Sequence, residues 1–202
     1  MNQIDLKGRR AVVTGAAQGI GLCITQRLLA SGAQVCLWDQ DVALLEETCQ
    51  GLAGSSVISR GVDVTDPDAV AAAAQQTASD LGGIDILVNN AGILRDKTFH
   101  KMSLDEFRLV IDVHLMGSFY CTKAVWEIMR EQKYGRVLFT SSSTGLYGNF
   151  GQSNYGAAKM AMVGLMNTLH LEGDKYNIRV NCLAPAAGTA MTDGLFPEKA
   201  FE

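Results

Sequence analysis

What most constrains this chain is its punctuation: short, almost wholly apolar runs recur along its 202 residues, separated by stretches of helical character. The clearest runs are RRAVVT, QVCLWD, IDILVN and GRVLFT. They alternate little between apolar and polar residues, which is the pattern of strands buried on both faces. Strands are expected at about 9–14, 34–39, 56–62, 84–89, 134–141 and 178–184, with helices at about 19–31, 41–52, 67–81, 104–131 and 153–175. Thr65-Asp66-Pro67 supplies an N-cap signal with proline at the first turn, and Ser103 followed by Glu106 matches a capping box. Regular strand–helix alternation predicts an α/β fold, a doubly wound parallel sheet with helices on both faces and right-handed crossovers. No internal repeat, low-complexity linker or shift in composition divides the chain, so a single domain over 1–202 is expected. Ligands of such sheets bind beyond the carboxyl ends of the strands, near the point where strand order reverses.

Composition excludes several classes of partner. The net charge of −4 is too negative for a protein that holds a phosphate backbone by charge, so no nucleic acid is expected. No apolar run reaches the roughly 18 residues of a membrane helix, and MNQIDLKGRR has no apolar signal core. A cytoplasmic protein with no membrane partner is expected. Cys23, Cys36, Cys49, Cys121 and Cys182 form no CxxC pair and read as reduced thiols in or near the core. His100, His114 and His170 are too scattered to make a metal site with them, so no metal is expected.

The first strand runs into Thr14-Gly15-Ala16-Ala17-Gln18-Gly19-Ile20-Gly21. Glycines at 15, 19 and 21 remove side chains that would block a pyrophosphate, and the following helix presents its N-terminal amides to that anion. Gly15, Gln18, Gly19, Ile20 and Gly21 are therefore candidate cofactor contacts. Asp39 ends the second strand, where a carboxylate can accept hydrogen bonds from both adenosine ribose hydroxyls and repel a 2′-phosphate. NAD is thus expected over NADP. The alternative is that Asp39 caps the next helix, a task that Asp41 could also perform. Asp63, which ends the third strand, and Val64 are candidate adenine contacts. Asn90, Ala91 and Gly92, in Asn89-Asn90-Ala91-Gly92, would let backbone approach the cofactor, while Asn89 reads equally well as a pin for the strand end.

Tyr155-Gly156-Ala157-Ala158-Lys159 places a phenol and an ammonium one helical turn apart on one face. A phenol with a pKa near 10 is a poor base at neutral pH. A nearby ammonium favours phenolate and is expected to lower that pKa. Tyr155 could then take the proton of an alcohol while hydride leaves its carbon, with Lys159 also placed to hold the nicotinamide ribose. Thirteen residues before Tyr155, Ser142 follows the strand GRVLFT, where its hydroxyl can bond the substrate oxygen. Ser141 and Ser143 are alternatives, and a serine cluster at a strand end is also ordinary loop.

Together, TGAAQGIG, Asp39, Asp63, NNAG, the Ser142–Tyr155 spacing and YGAAK resemble the short-chain dehydrogenase/reductase family over residues 8–192. The resemblance implies a Rossmann-type fold, a catalytic Ser142, Tyr155 and Lys159, and a cofactor contact at Pro185. It also implies a homodimer or homotetramer paired through the helices at 104–131 and 153–175. In the family an asparagine in V-N-L-x-G holds a water that links the lysine to solvent. Here the setting is Val113-His114-Leu115-Met116-Gly117, so His114 stands in its place. Histidine can donate and accept and could do similar work; the other reading is an inert, partly buried side chain.

From Asn89 onward, NNAGILRDKTF, VHLMGSF, KYGRVLFTSSSTGLYGNFGQSNYGAAK and CLAPAAGTAMT resemble more closely the (3R)-hydroxyacyl-CoA dehydrogenase part of peroxisomal multifunctional β-oxidation enzymes and bacterial relatives. That branch also carries the histidine and lacks the usual glycine after the proline, where Pro185-Ala186 stands. The first 80 residues look like ordinary short-chain dehydrogenases. The implied reaction is hydride transfer between NAD and a secondary alcohol/ketone pair, with a 3-hydroxyacyl thioester as small-molecule substrate. A 3-oxoacyl-carrier-protein reductase, a general alcohol or sugar dehydrogenase, or a cofactor-binding module without chemistry are the alternatives. Family members continue for some tens of residues past Thr192, so most of the substrate-covering segment and a last strand are expected to be absent from these 202 residues.

Overall fold

The computed structural model describes residues 4–52 and 56–185. Six strands, β1 (Arg10–Thr14), β2 (Gln34–Asp39), β3 (Val57–Gly61), β4 (Ile86–Asn89), β5 (Gly135–Thr140) and β6 (Ile178–Leu183), form one sheet in the order β3-β2-β1-β4-β5-β6. Every pairing is parallel; Ala11 lies beside Val35 on one side and Ile86 on the other. The order reverses between β1 and β4, which opens a crevice beyond their carboxyl ends.

The central strands are apolar because both faces are covered, whereas the edge strands β3 and β6 carry Ser59, Arg60, Arg179 and Asn181. Val12, Cys36, Trp38, Leu87, Val137, Phe139 and Val180 point to one side. There they meet α3 (Pro67–Leu81), α5 (Gly117–Gln132) and α7 (Ser153–Gly173) through residues such as Val70, Val125, Met129 and Met162. Ala11, Val13, Val35, Leu37 and Val88 point the other way, against Leu45, Ile24 and Leu28 of α1 (Gly19–Ala30) and α2 (Val42–Gly51). Successive residues of β1 thus feed opposite cores, as the two-residue period of a strand requires. The helix starts follow the expected chemistry. Asp66 caps α3 with Pro67 in its first turn, and Ser103 and Glu106 close a capping box on α4 (Leu104–Ile111). Asp41, not Asp39, caps α2 by accepting from the Leu44 amide.

Three expectations need correction. The helix expected over 104–131 is α4 and α5 joined by a π turn at Asp112–Met116. A π turn adds a residue to the repeat, so the apolar spacing on either side does not reveal it. The serine cluster is not all loop: Ser142 caps α6 (Ser143–Tyr147), whose Gly145 packs so closely on α7 that a Cβ there would lie 2.9 Å from the Lys159 backbone. Finally, β3 ends at Gly61, two residues before Asp63. The cysteines are free, as expected, but Cys23 is exposed on α1 rather than near the core. The region past Thr192, where a covering segment was expected to be missing, and Ala186 beside Pro185 lie outside the described residues.

Candidate active site

The glycine turn and the NNAG turn meet at the switch point and are bound into one unit. The Thr14 hydroxyl accepts from the Asn90 and Ala91 amides, at 2.9 and 3.0 Å. The Asn90 side chain donates to the Thr14 and Gly15 carbonyls, at 3.0 and 3.1 Å. The glycines differ in purpose. A Cβ at Gly21 would lie 2.1 Å from the Gly15 carbonyl oxygen, and one at Gly15 would lie 2.8 Å from Ala91 Cα, so both permit close backbone packing. Gly19 has φ +57° and open space where a Cβ would be. That open space lies at the start of α1, which has no side-chain cap and no acidic residue in its first turn. A helix start left in this way suits an anion.

Asp39 is half-buried and accepts from the Ala17 amide at 3.0 Å and the Asp41 amide at 3.1 Å, which ties the end of β2 to the glycine turn. Carboxylate oxygens keep further acceptor capacity after one bond each. Asp63 is exposed, and one of its oxygens accepts from the Thr65 amide and hydroxyl. Val64 beside it is buried against Gly117, where a Cβ would lie 2.8 Å from Val64 Cγ2. Asn89 donates to the Thr122 hydroxyl at 3.0 Å, which supports the pinning role. Pro185, half-buried, is the last described residue.

Across the crevice, α7 carries Tyr155 and Lys159. Lys159 is 3% exposed, and its Nζ donates a short hydrogen bond to the Thr140 carbonyl. Its own backbone carbonyl accepts from the Ser141 hydroxyl at 2.9 Å, so Ser141 fixes the turn of α7 that bears the lysine. Nζ stands 5.3 Å from the centre of the Tyr155 ring. Burial depresses the lysine pKa from 10.5 to about 7.

Tyr155 does not show the lowered pKa expected from its lysine neighbour. Burial pushes the phenol up, opposed by a hydrogen bond from Ser142, while the Asp96 charge adds to the rise. A lysine that is itself desolvated pulls less strongly than a full ammonium would. The Ser142 oxygen accepts from the Thr144 amide at 3.1 Å.

His114 sits in the π turn, 1% exposed, with its ring edge-on to Tyr155 at 5.2 Å between centres. Its Nε2 faces both the Ile93 amide (3.0 Å) and the Ile93 carbonyl (2.8 Å). A neutral imidazole nitrogen serves one of these at a time. Nδ1 is buried with no hydrogen-bond partner among the described residues. Burial, and secondarily the Lys159 charge, depress the imidazole pKa from 6.5 to about 3, so the ring is neutral at physiological pH. Gly92 makes room for it: a Cβ there would lie 2.3 Å from His114 Cε1.

A glycine cradle at the β1 end thus lies across the crevice from half-buried Ser142 and Tyr155 and buried Lys159, and residues 9–200 match the family model described as short chain dehydrogenase. The chain belongs to the short-chain dehydrogenase family. Members of that family are oxidoreductases that act on CH–OH groups. This short-chain dehydrogenase is 44% identical, over 98% of its length, to the peroxisomal hydratase-dehydrogenase-epimerase of Neurospora crassa, of which it spans 22%. It is 41% identical over 98% of its length to a putative short-chain type dehydrogenase/reductase of Mycobacterium tuberculosis, of which it spans 73%. Among solved structures, NAD+-bound xylitol dehydrogenase superposes with a TM-score of 0.87 at 34% identity, covering 90% of this chain and 72% of that one.

Sequence reasoning overlooked three supporting residues of this dehydrogenase. Thr14 joins the two turns. Asn154, fully buried, accepts from the Tyr155 amide at 2.7 Å and donates to the Arg95 carbonyl at 3.0 Å. Gln152 links Thr144, Asn149 and Asp96. Thr14 directly before a glycine turn, and polar residues directly before Tyr155, were the available signals. Among the described residues no three His, Cys, Asp or Glu side chains are grouped to hold a metal ion.

Proposed function

We propose that this dehydrogenase interconverts a secondary alcohol and a ketone with NAD, acting on a 3-hydroxyacyl thioester. The observation that carries the reading is the grouping of half-buried Ser142 and Tyr155 with buried Lys159 opposite an open glycine cradle. When bound, NAD would supply the hydride acceptor for the alcohol carbon. The cradle at Gly19 and the uncapped start of α1 suit its pyrophosphate, with Gly15, Gln18, Ile20 and Gly21 shaping the turn. Asp39 would hold the adenosine ribose and disfavour a 2′-phosphate, while Asp63 and Val64 would flank the adenine. Asn90, Ala91, Gly92 and Pro185 complete the wall.

Ser142 orients the substrate oxygen through its hydroxyl. Tyr155 takes the hydroxyl proton as the carbon–hydrogen bond breaks, and returns it in the reverse direction. Lys159 would hold the nicotinamide ribose, and in its neutral form it accepts the proton that Tyr155 must lose before it can take the substrate's. A lysine poised near pKa 7 exchanges a proton at physiological pH more readily than an ordinary one. His114, neutral and with Nδ1 unengaged, passes that proton onward in place of the family's asparagine.

The thioester reading is supported by the similarity to the Neurospora crassa hydratase-dehydrogenase-epimerase. Pairing as a homodimer or homotetramer is supported by the exposed Leu109 and Phe119 on α4 and α5 and Met160 and Leu171 on α7. Steady-state rates with NAD and NADP, each on (3R)-hydroxyacyl thioesters and on simple secondary alcohols, test the proposal. A clear NADP preference, or turnover of simple alcohols alone, overturns its cofactor or its substrate half respectively.

A further inference from the structure

The second strand–helix unit reaches into the glycine turn through one hydroxyl. Thr48, in α2, donates to the Ala17 carbonyl at 2.8 Å, a partner 31 residues away in the chain. The residues around it on the helix are apolar: Leu44, Leu45, Cys49 and Leu52 all pack on the core that holds Val13, Val35 and Leu37. A hydroxyl set among them needs a partner. A helical threonine can find one in the carbonyl a turn back along its own helix. Thr48 bonds the glycine turn instead.

Ala17 is buried and held on both sides. Its amide donates to the Asp39 carboxylate at 3.0 Å, and its carbonyl accepts from Thr48. Because a peptide unit is planar, each bond fixes a whole plane. The Asp39 bond sets the plane between Ala16 and Ala17. The Thr48 bond sets the plane between Ala17 and Gln18. That second plane also carries the Gln18 amide, which in a trans unit points opposite to the Ala17 carbonyl and so away from Thr48. Gln18 is exposed and stands at the N-cap of α1, where an amide has no partner within its own helix. Gly19 follows, with open space where a Cβ would be. The direction of the first amide offered by the turn is thus set from α2.

We propose that Thr48 is a positioning residue for the cofactor: by holding the Ala17 carbonyl it presents the Gln18 amide to the pyrophosphate, and it joins the glycine turn and Asp39 into one rigid grip. This inference rests on the reading of the glycine turn as a dinucleotide cradle and adds a residue of α2 to it. A threonine that merely seated α2 on the sheet would affect stability and leave cofactor affinity alone.

The test is calorimetric titration of NAD and of ADP-ribose, which needs no turnover. Thr48→Val keeps the size of the side chain and removes the hydroxyl. It should raise the Kd of both ligands about fivefold, the weight of one hydrogen bond, while kcat at saturating NAD stays within about twofold of the wild type. Thr48→Ser should return Kd to within about twofold of the wild type. Leu44→Ala trims the same helix face without removing the hydroxyl and should leave Kd within about twofold. An unchanged Kd in Thr48→Val, a loss confined to kcat, an equal rise of Kd in Leu44→Ala, or a Thr48→Ser variant as weak as Thr48→Val overturns the proposal. A wild type that prefers NADP to NAD overturns the cofactor reading instead, and the same variants titrated with NADP still decide the role of Thr48. A wild type that binds neither nucleotide overturns both.

Discussion

The two ends of the sheet both bury charge, and they treat it in opposite ways. At the amino end, Asp85 is 2% exposed and meets Arg10 twice, Nε at 2.7 Å and Nη2 at 2.9 Å, with the Arg10 amide as a third donor. The hydrogen bond to Asp85 raises the Arg10 pKa, so the pairing holds the guanidinium charged. At the carboxyl end, Lys159 is equally buried but bonds a neutral carbonyl, and His114 keeps a nitrogen with no partner. Compensated charge locks a protonation state, whereas uncompensated charge leaves it within reach of neutral pH. The first arrangement serves the fold and the second serves proton transfer.

The hardest test of that contrast is Tyr155→Phe. It removes the group served by the carboxyl end and should lower kcat by about a thousandfold, the scale of a lost acid–base residue. NAD affinity, read by fluorescence titration, should stay within a few-fold. At the amino end, Asp85→Ala strips a buried pair of one partner and should cost about 3 kcal/mol in urea unfolding. The kcat of the folded fraction should remain within about twofold. A large kcat effect there would erase the distinction between the two ends.

His114 sharpens the comparison through pH. Its folded pKa of about 3 lies below the unfolded value of 6.5, so the unfolded chain binds the extra proton first. Its effect on stability is absent above pH 6.5 and grows as pH falls through the window from 6.5 to about 3. By pH 5 the wild type should have lost about 2 kcal/mol relative to His114→Asn. Parallel pH dependences of melting in the two proteins would show that the imidazole is not buried neutral. Asp39→Ser has the smallest expected effect, a shift of about tenfold in the NAD to NADP ratio of kcat/KM, because it alters one partly exposed contact.

Most of the fold was legible because both-face burial writes itself into β1, β2, β4 and β5 as unbroken apolar runs, and because Asp66-Pro67 and Ser103–Glu106 mark helix starts by local chemistry. The glycine turn and Tyr155–Lys159 were legible because their spacing is local. What escaped depends on tertiary contact. The π turn at Asp112–Met116 leaves no periodic trace, and the Ser142 cap becomes visible only once Gly145 is seen against Lys159. The direction of the Tyr155 shift could not be read from a lysine one turn away, because burial acts on both residues.

The contact of Gly145 with the Lys159 backbone also bears on motion. Ser142, Tyr155 and Lys159 all lie within eighteen consecutive residues, and the close seat of α6 on α7 makes that stretch one packed body. Such local units open and close together in hydrogen exchange. The reacting groups should therefore lose and regain their geometry as a set, while the cofactor cradle, stitched across β1 and β4 by Thr14 and Asn90, opens on its own schedule.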